Sequence, residues 1–207
     1  MKKITLILSI LVWVLACNKS FGENPEKLII DDFTSTETNS MGGNFSAYEE
    51  PPSKVSLSYR DVERGGKITQ VLLLKYHRVM SGGPYDKGGW CGYYTLLKTE
   101  DTPYFDASKY KYLALWVKGE KGTENFVVSM SDVYLDKKRQ SRKSKPIGKY
   151  LKEGKITTDW QKVRIPLDEF YLDLKRVVSI AIDFERELFA NGSGKGTVYI
   201  NNIVFEK

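Results

Sequence analysis

Trp116 lies in the run YLALWVKG at 112–119, and alternation along a strand puts it on the face opposite Leu113, Leu115 and Val117. An indole on the outside of a strand is an apolar plate with a polar edge. Such a plate stacks on the apolar face of a pyranose while neighbouring groups hydrogen-bond to the sugar hydroxyls. The same alternation turns out Ser129 in ENFVVSMS (124–131), Arg164 in WQKVRI (160–165) and Asp183 in VVSIAIDF (177–184). Lys75 and His77 share a face of the run at 69–79, and Tyr94 shares one with Trp90 in WCGYYTLLK (90–98). If these strands neighbour one another, one outer face gathers Trp116, His77, Arg164, Ser129 and Asp183, with Tyr94 adding aromatic area. That face reads as a carbohydrate-binding surface. Polar residues also line the outside of any antiparallel sheet, so plain solvation is the competing reading.

Catalytic chemistry finds little support. His77 is the single histidine, which excludes sites built from several imidazole ligands. No Gly-x-Ser-x-Gly elbow occurs. Asp183 and Glu185 are two apart and share a strand face, but as a strand end rather than a pair flanking a glycosidic bond. The glycine-rich segment 81–89 lacks the Lys-Ser/Thr ending of a phosphate loop. The chain therefore reads as non-catalytic. Its formal charge of +6 is modest, and two of those charges, Lys2 and Lys3, lie in a leader. This is too weak and local for nucleic acid. The one basic run, DKKRQSRKSK at 136–145, reads either as a solvated loop or as a contact with anionic polymer or headgroups.

Residues 1–16, MKKITLILSILVWVLA, have the layout of a secretory leader: two lysines, then an apolar run too short to span a membrane comfortably. The junction Val14-Leu15-Ala16-Cys17 resembles the bacterial lipobox. That resemblance implies cleavage before Cys17, acylation of Cys17 and a lipid-anchored protein of the bacterial cell envelope. Asn18 stands where an aspartate would signal inner-membrane retention, which favours the outer membrane. Residues 17–27 form a polar tether. With Cys17 assigned to lipid, Cys91 is left as a lone thiol within an apolar strand, a small buried hydrophobe with no disulfide partner.

The elements that must position these residues occupy 28–207. Short alternating runs are separated by turn signals such as Arg64-Gly65-Gly66-Lys67 and Pro51-Pro52. No long segment carries a helical period. About ten strands in one domain, with 26 aromatic residues, predict an all-β fold, a two-sheet β-sandwich of jelly-roll type.

The order of these segments carries a family resemblance. An opening DDF, a loop closed by GG, the GGW-x-GYY strand, L-x-L-W-V-K-G, W-x-x-V-x-I-P-L-x-x-F and the closing G-x-V-Y-I-x-N-I-x-F resemble the galactose-binding-like jelly-roll domains. The layout is similar to family 11 carbohydrate-binding modules and to the complex I intermediate-associated protein domain. The first likeness implies a carbohydrate ligand. The second implies a protein-interaction or assembly module of an envelope complex. Many such domains hold a structural calcium near the two chain ends, and the resemblance implies Asp31 or Asp32, carbonyls of the loop Asn39–Gly43, and Asn201 as its ligands. Asn201 stands where an aspartate is common.

Overall fold

The computed structural model describes residues 26–207. The leader, Cys17 and most of the tether lie outside the described residues. Eleven strands form two antiparallel sheets facing each other across one core. The strands are β1 (Lys27–Asp31), β2 (Phe45–Glu50), β3 (Lys54–Arg64), β4 (Lys67–Arg78), β5 (Trp90–Leu96), β6 (Tyr112–Gly119), β7 (Val127–Asp132), β8 (Arg142–Lys143), β9 (Gln161–Pro166), β10 (Val177–Asp183) and β11 (Gly194–Glu206). The six-stranded sheet runs β3-β4-β11-β6-β9, with β1 also paired to β11. The five-stranded sheet runs β2-β5-β10-β7-β8. This is the expected β-sandwich.

Alternation builds the core. β6 sends Leu113, Leu115 and Val117 inward, and β10 sends Ile180 and Ile182 to meet them; all are buried. Tyr76 of β4 stacks on Phe184 across the core, with ring centroids 3.9 Å apart. Phe205 stacks on Phe105 at 5.7 Å. Cys91 faces this core, and burial pushes its thiol up to about 12, so it is an inert hydrophobe. The two-residue turn between β3 and β4 places both Gly65 and Gly66 at positive φ, which a side chain would resist.

The basic side chains after β7 are solvated, as one reading of the sequence expected, but the backbone that carries them is tied to the sheet. Asp132 caps a short helix (Val133–Lys137), accepting from the Tyr134 and Leu135 amides at 2.9 Å each, and its other oxygen accepts from the Asp173 amide. Ser144 ties β8 to the sheet through Val128, its amide donating to the Val128 carbonyl and its hydroxyl accepting from the Val128 amide. Ile147 and Leu151 are buried in the core. The basic run therefore extends the five-stranded sheet through β8 while its basic side chains stay exposed, Lys143 and Lys145 paired to Glu185 and Glu169.

Asp31 is a buried acid aimed between the sheets. Its carboxylate accepts from the Phe33 amide at 2.8 Å and the Tyr93 hydroxyl at 3.2 Å. Burial outweighs those bonds and raises its pKa to about 6. Its stabilising contribution is therefore complete below its ordinary value of 3.8 and is lost as pH rises through 6. Denaturant unfolding from pH 4 to 7.5 should show wild type losing roughly 2 kcal/mol relative to Asp31→Asn. A difference independent of pH would contradict the assignment.

Candidate functional site: a trough across the five-stranded sheet

Register places the outward residues of the five-stranded sheet in rows. One row is Ser46, Tyr94, Ala181, Ser129 and Lys143, from β2 to β8. The next is Tyr48, Gly92, Asp183 and Val127. A third holds Leu96, Ser179 and Ser131. Small residues thus occupy the middle of the sheet. They leave a trough of about 820 Å³, walled by Tyr48 and Tyr94 on one side and by residues 139–141 on the other. The Ser131 hydroxyl donates to the Gln140 carbonyl at 2.7 Å and holds that second wall in place.

Gly92 makes the crossing between β2 and β10. A Cβ there would lie 2.4 Å from the Tyr48 hydroxyl oxygen and 2.6 Å from its Cζ. Without one, the Tyr48 ring passes over β5 and its hydroxyl donates to Asp183 Oδ1. Burial, and then the neighbouring Asp183 carboxylate, push the Tyr48 phenol up, so it stays a donor. Asp183 lines the trough floor, and burial raises its pKa, opposed by Tyr48 and Ser129. Its Oδ2 is buried with no protein partner. An orphaned acceptor of this kind costs about 1–3 kcal/mol until a donor reaches it. A hydroxyl-rich ligand supplies such donors, and the two tyrosines supply ring faces and edges.

The residues singled out in the sequence divide between two surfaces. Tyr94, Ser129 and Asp183 come together in the trough. Trp116, Arg164 and His77 do not join them; they lie on the outer face of the opposite, six-stranded sheet. There the aromatic rings carry cations. Arg64 covers Trp116 at 4.7 Å and Arg164 covers Tyr112 at 3.9 Å. Arg164 also pairs with Glu206 at 3.0 Å, beside Lys162 at 2.8 Å. Burial works against the Glu206 carboxylate, but Lys162 and Arg164 outweigh it and hold the group below its ordinary value. Trp116 is thus a capped ring rather than an open plate. Tyr48 was missed, although the alternation Phe45-Ala47 against Ser46-Tyr48 marks it as outward. Gln140 and Arg139 were hidden within the basic run.

Asp31, Asp32 and Asn201 do not fit the calcium site that the resemblance implies. Asp31 points between the sheets to Tyr93, whereas Asn201 pairs in register with Trp116 on the outer face. Asp32 Oδ1 accepts from the amide and hydroxyl of Thr34 and from Ser40. The Asn201 amide donates to the Gln70 carbonyl at 2.9 Å. Among the described residues no group of three or more His, Cys, Asp or Glu is arranged for a metal. A thermal melt should be unchanged by chelator or by added calcium. A chelator-induced drop of several degrees would mean that these oxygens rearrange around an ion.

A family model described as carbohydrate binding domain 30 matches residues 24–207. Among solved structures, a family 11 carbohydrate-binding module from Clostridium thermocellum, in complex with a β-1,3-1,4-mixed-linked tetrasaccharide, aligns with a TM-score of 0.59 at 17% identity. The alignment covers 87% of this chain and 95% of that one. A family 30 module of a cellulosomal cellulase of the same organism aligns with a TM-score of 0.58 at 21% identity, covering 87% and 98%. Nothing matches among the curated proteins. These structures share the sandwich fold, and the match of the family model over residues 24–207 makes this chain a member of the carbohydrate binding domain 30 family.

Proposed function

We propose that the trough binds a β-linked glucan chain and that the protein does so without cleaving it. The observation that carries this reading is the convergence of Tyr48, Tyr94, Ser129 and the half-satisfied Asp183 carboxylate on one open trough. A pyranose stacks on the tyrosine rings, with its hydroxyls toward Ser129 and Asp183 on the floor. Trp90 lies on the same face of β5 as Tyr94, and its half-exposed indole extends the aromatic edge toward the end of the sheet. The choice of glucan rests on the mixed-linked tetrasaccharide of the family 11 relative. Hydrolysis needs a second free carboxylate across the ligand. Asp136 at the rim is paired with Lys98, and Glu185 with Lys143, which favours binding alone.

Titration calorimetry with mixed-linkage glucan tetrasaccharide tests the site. Tyr94→Ala should weaken binding by about tenfold or more, the scale of one lost aromatic contact. Asp183→Asn, which keeps the shape, should weaken it less, and Trp116→Ala should leave it unchanged. Loss of binding in Trp116→Ala alone would move the site to the other sheet. No binding by folded wild type across a broad glucan panel would favour a protein-interaction module instead.

We further propose that Cys17 is acylated and tethers the domain to the bacterial envelope, with the outer membrane favoured. The layout of residues 1–17 supports this, since several acyl chains at about 0.8 kcal/mol per buried methylene anchor firmly. Metabolic labelling with a fatty-acid probe should mark wild type and not Cys17→Ser. Unlabelled wild type would end the proposal.

A further inference from the structure

The outer face of the six-stranded sheet has its own cleft, of about 700 Å³, where β3, β4 and β11 meet the turn after β6. Lys54, His77 and Lys195 form one row across three adjacent strands. Lys75 stands in the next row, between Ser56 and Thr197, and Lys121 closes the cleft from the turn. Register sets no two of these lysines directly opposite, since Lys54 and Lys195 face His77 and Lys75 faces Ser56 and Thr197, but all four line one hollow. Lys98, Lys143, Lys145 and Lys162 each reach a carboxylate. Among the described residues, Lys54, Lys75, Lys121 and Lys195 form no such ion pair. Glu49, which accepts from the Val55 amide at 2.7 Å, and Glu120 also line the cleft and offset two of its four positive charges. The balance is positive, and it is gathered around a hollow.

We propose that this cleft binds an acidic polysaccharide through its carboxylate or sulfate groups. An anion seated in the hollow is attracted by all four ammonium groups at once. The recess favours a chain over a membrane, because a flat bilayer surface meets protruding lysines rather than the floor of a cleft. Ser56 and Thr197 on that floor offer hydroxyl partners for a sugar. The trough and this cleft lie on opposite sheets, so the protein can hold a neutral glucan and an acidic glycan at the same time. The proposal stands independently of the glucan reading.

Polygalacturonate and dextran sulfate serve as probes in affinity electrophoresis, with phosphatidylglycerol vesicles as the membrane comparison. Wild type should bind at least one of the two polymers at low salt and lose it as salt rises, since exposed charges are screened. Lys75→Glu/Lys195→Glu should weaken that binding by at least about tenfold, with the melting temperature and glucan affinity unchanged. Lys54→Ala/Lys121→Ala, which alters other elements, should act in the same direction. Tyr94→Ala should bind the polyanions as wild type does, so a failed glucan site leaves this test intact. Absence of binding to either polymer at low salt, binding unaffected by both double substitutions, or binding to vesicles without binding to the polysaccharides would overturn the proposal.

Discussion

Every strand of a sandwich gives alternate residues to one shared core, and that demand fixes what the remaining residues can do. β10 shows the consequence. Ile180 and Ile182 are committed inward, so Ser179, Ala181 and Asp183 must face out. β10 is also flanked on both sides, by β5 and β7. Its outward residues therefore form the floor of a surface rather than an edge. With small side chains there and tyrosines on the strands to one side, the sheet dips in its middle. The trough is thus the outward image of how the core is filled, and no long loop is needed to enclose it.

One buried contact gives that trough its chemistry. Tyr48 reaches Asp183 only because Gly92 carries no side chain between them. The bond satisfies one carboxylate oxygen and leaves the other without a partner. A fully satisfied aspartate would have little to offer a sugar, and a fully exposed one would be hydrated. Burial and the Tyr48 hydroxyl fix the Asp183 carboxylate at a defined place in the trough floor, and the cost of desolvating it is already met within the fold.

Much of this was legible in the sequence. Alternation assigned inward and outward residues correctly in β6, β7 and β10, and the Gly65-Gly66 turn set the β3–β4 hairpin. Parity says which residues leave the core; it does not say through which sheet. Trp116 and Asp183 are both outward, yet they point away from each other because β6 and β10 belong to opposite layers. That information lies in strand pairing, a long-range property that no local pattern carries. The run after β7 is solvated as the sequence suggested, but its attachment to the sheet was not legible. Its lysines dominate its composition, while the residues that dock it, Asp132, Ser144 and Ile147, are few and spread along it.

The two outer faces now have distinct characters. One is an uncapped polar trough edged by tyrosines. The other pairs its aromatic rings with cations near Trp116 and gathers unpaired lysines at its far end. The central claim is that the neutral glycan lies in the trough. Amide chemical-shift mapping of the isotopically labelled protein during titration with mixed-linkage glucan tetrasaccharide tests it most directly. Shifts concentrated on β2, β5, β7 and β10, with the Trp116 indole unmoved, are the predicted result. Shifts concentrated on β6 and β9, with the Trp116 indole leading, would contradict it.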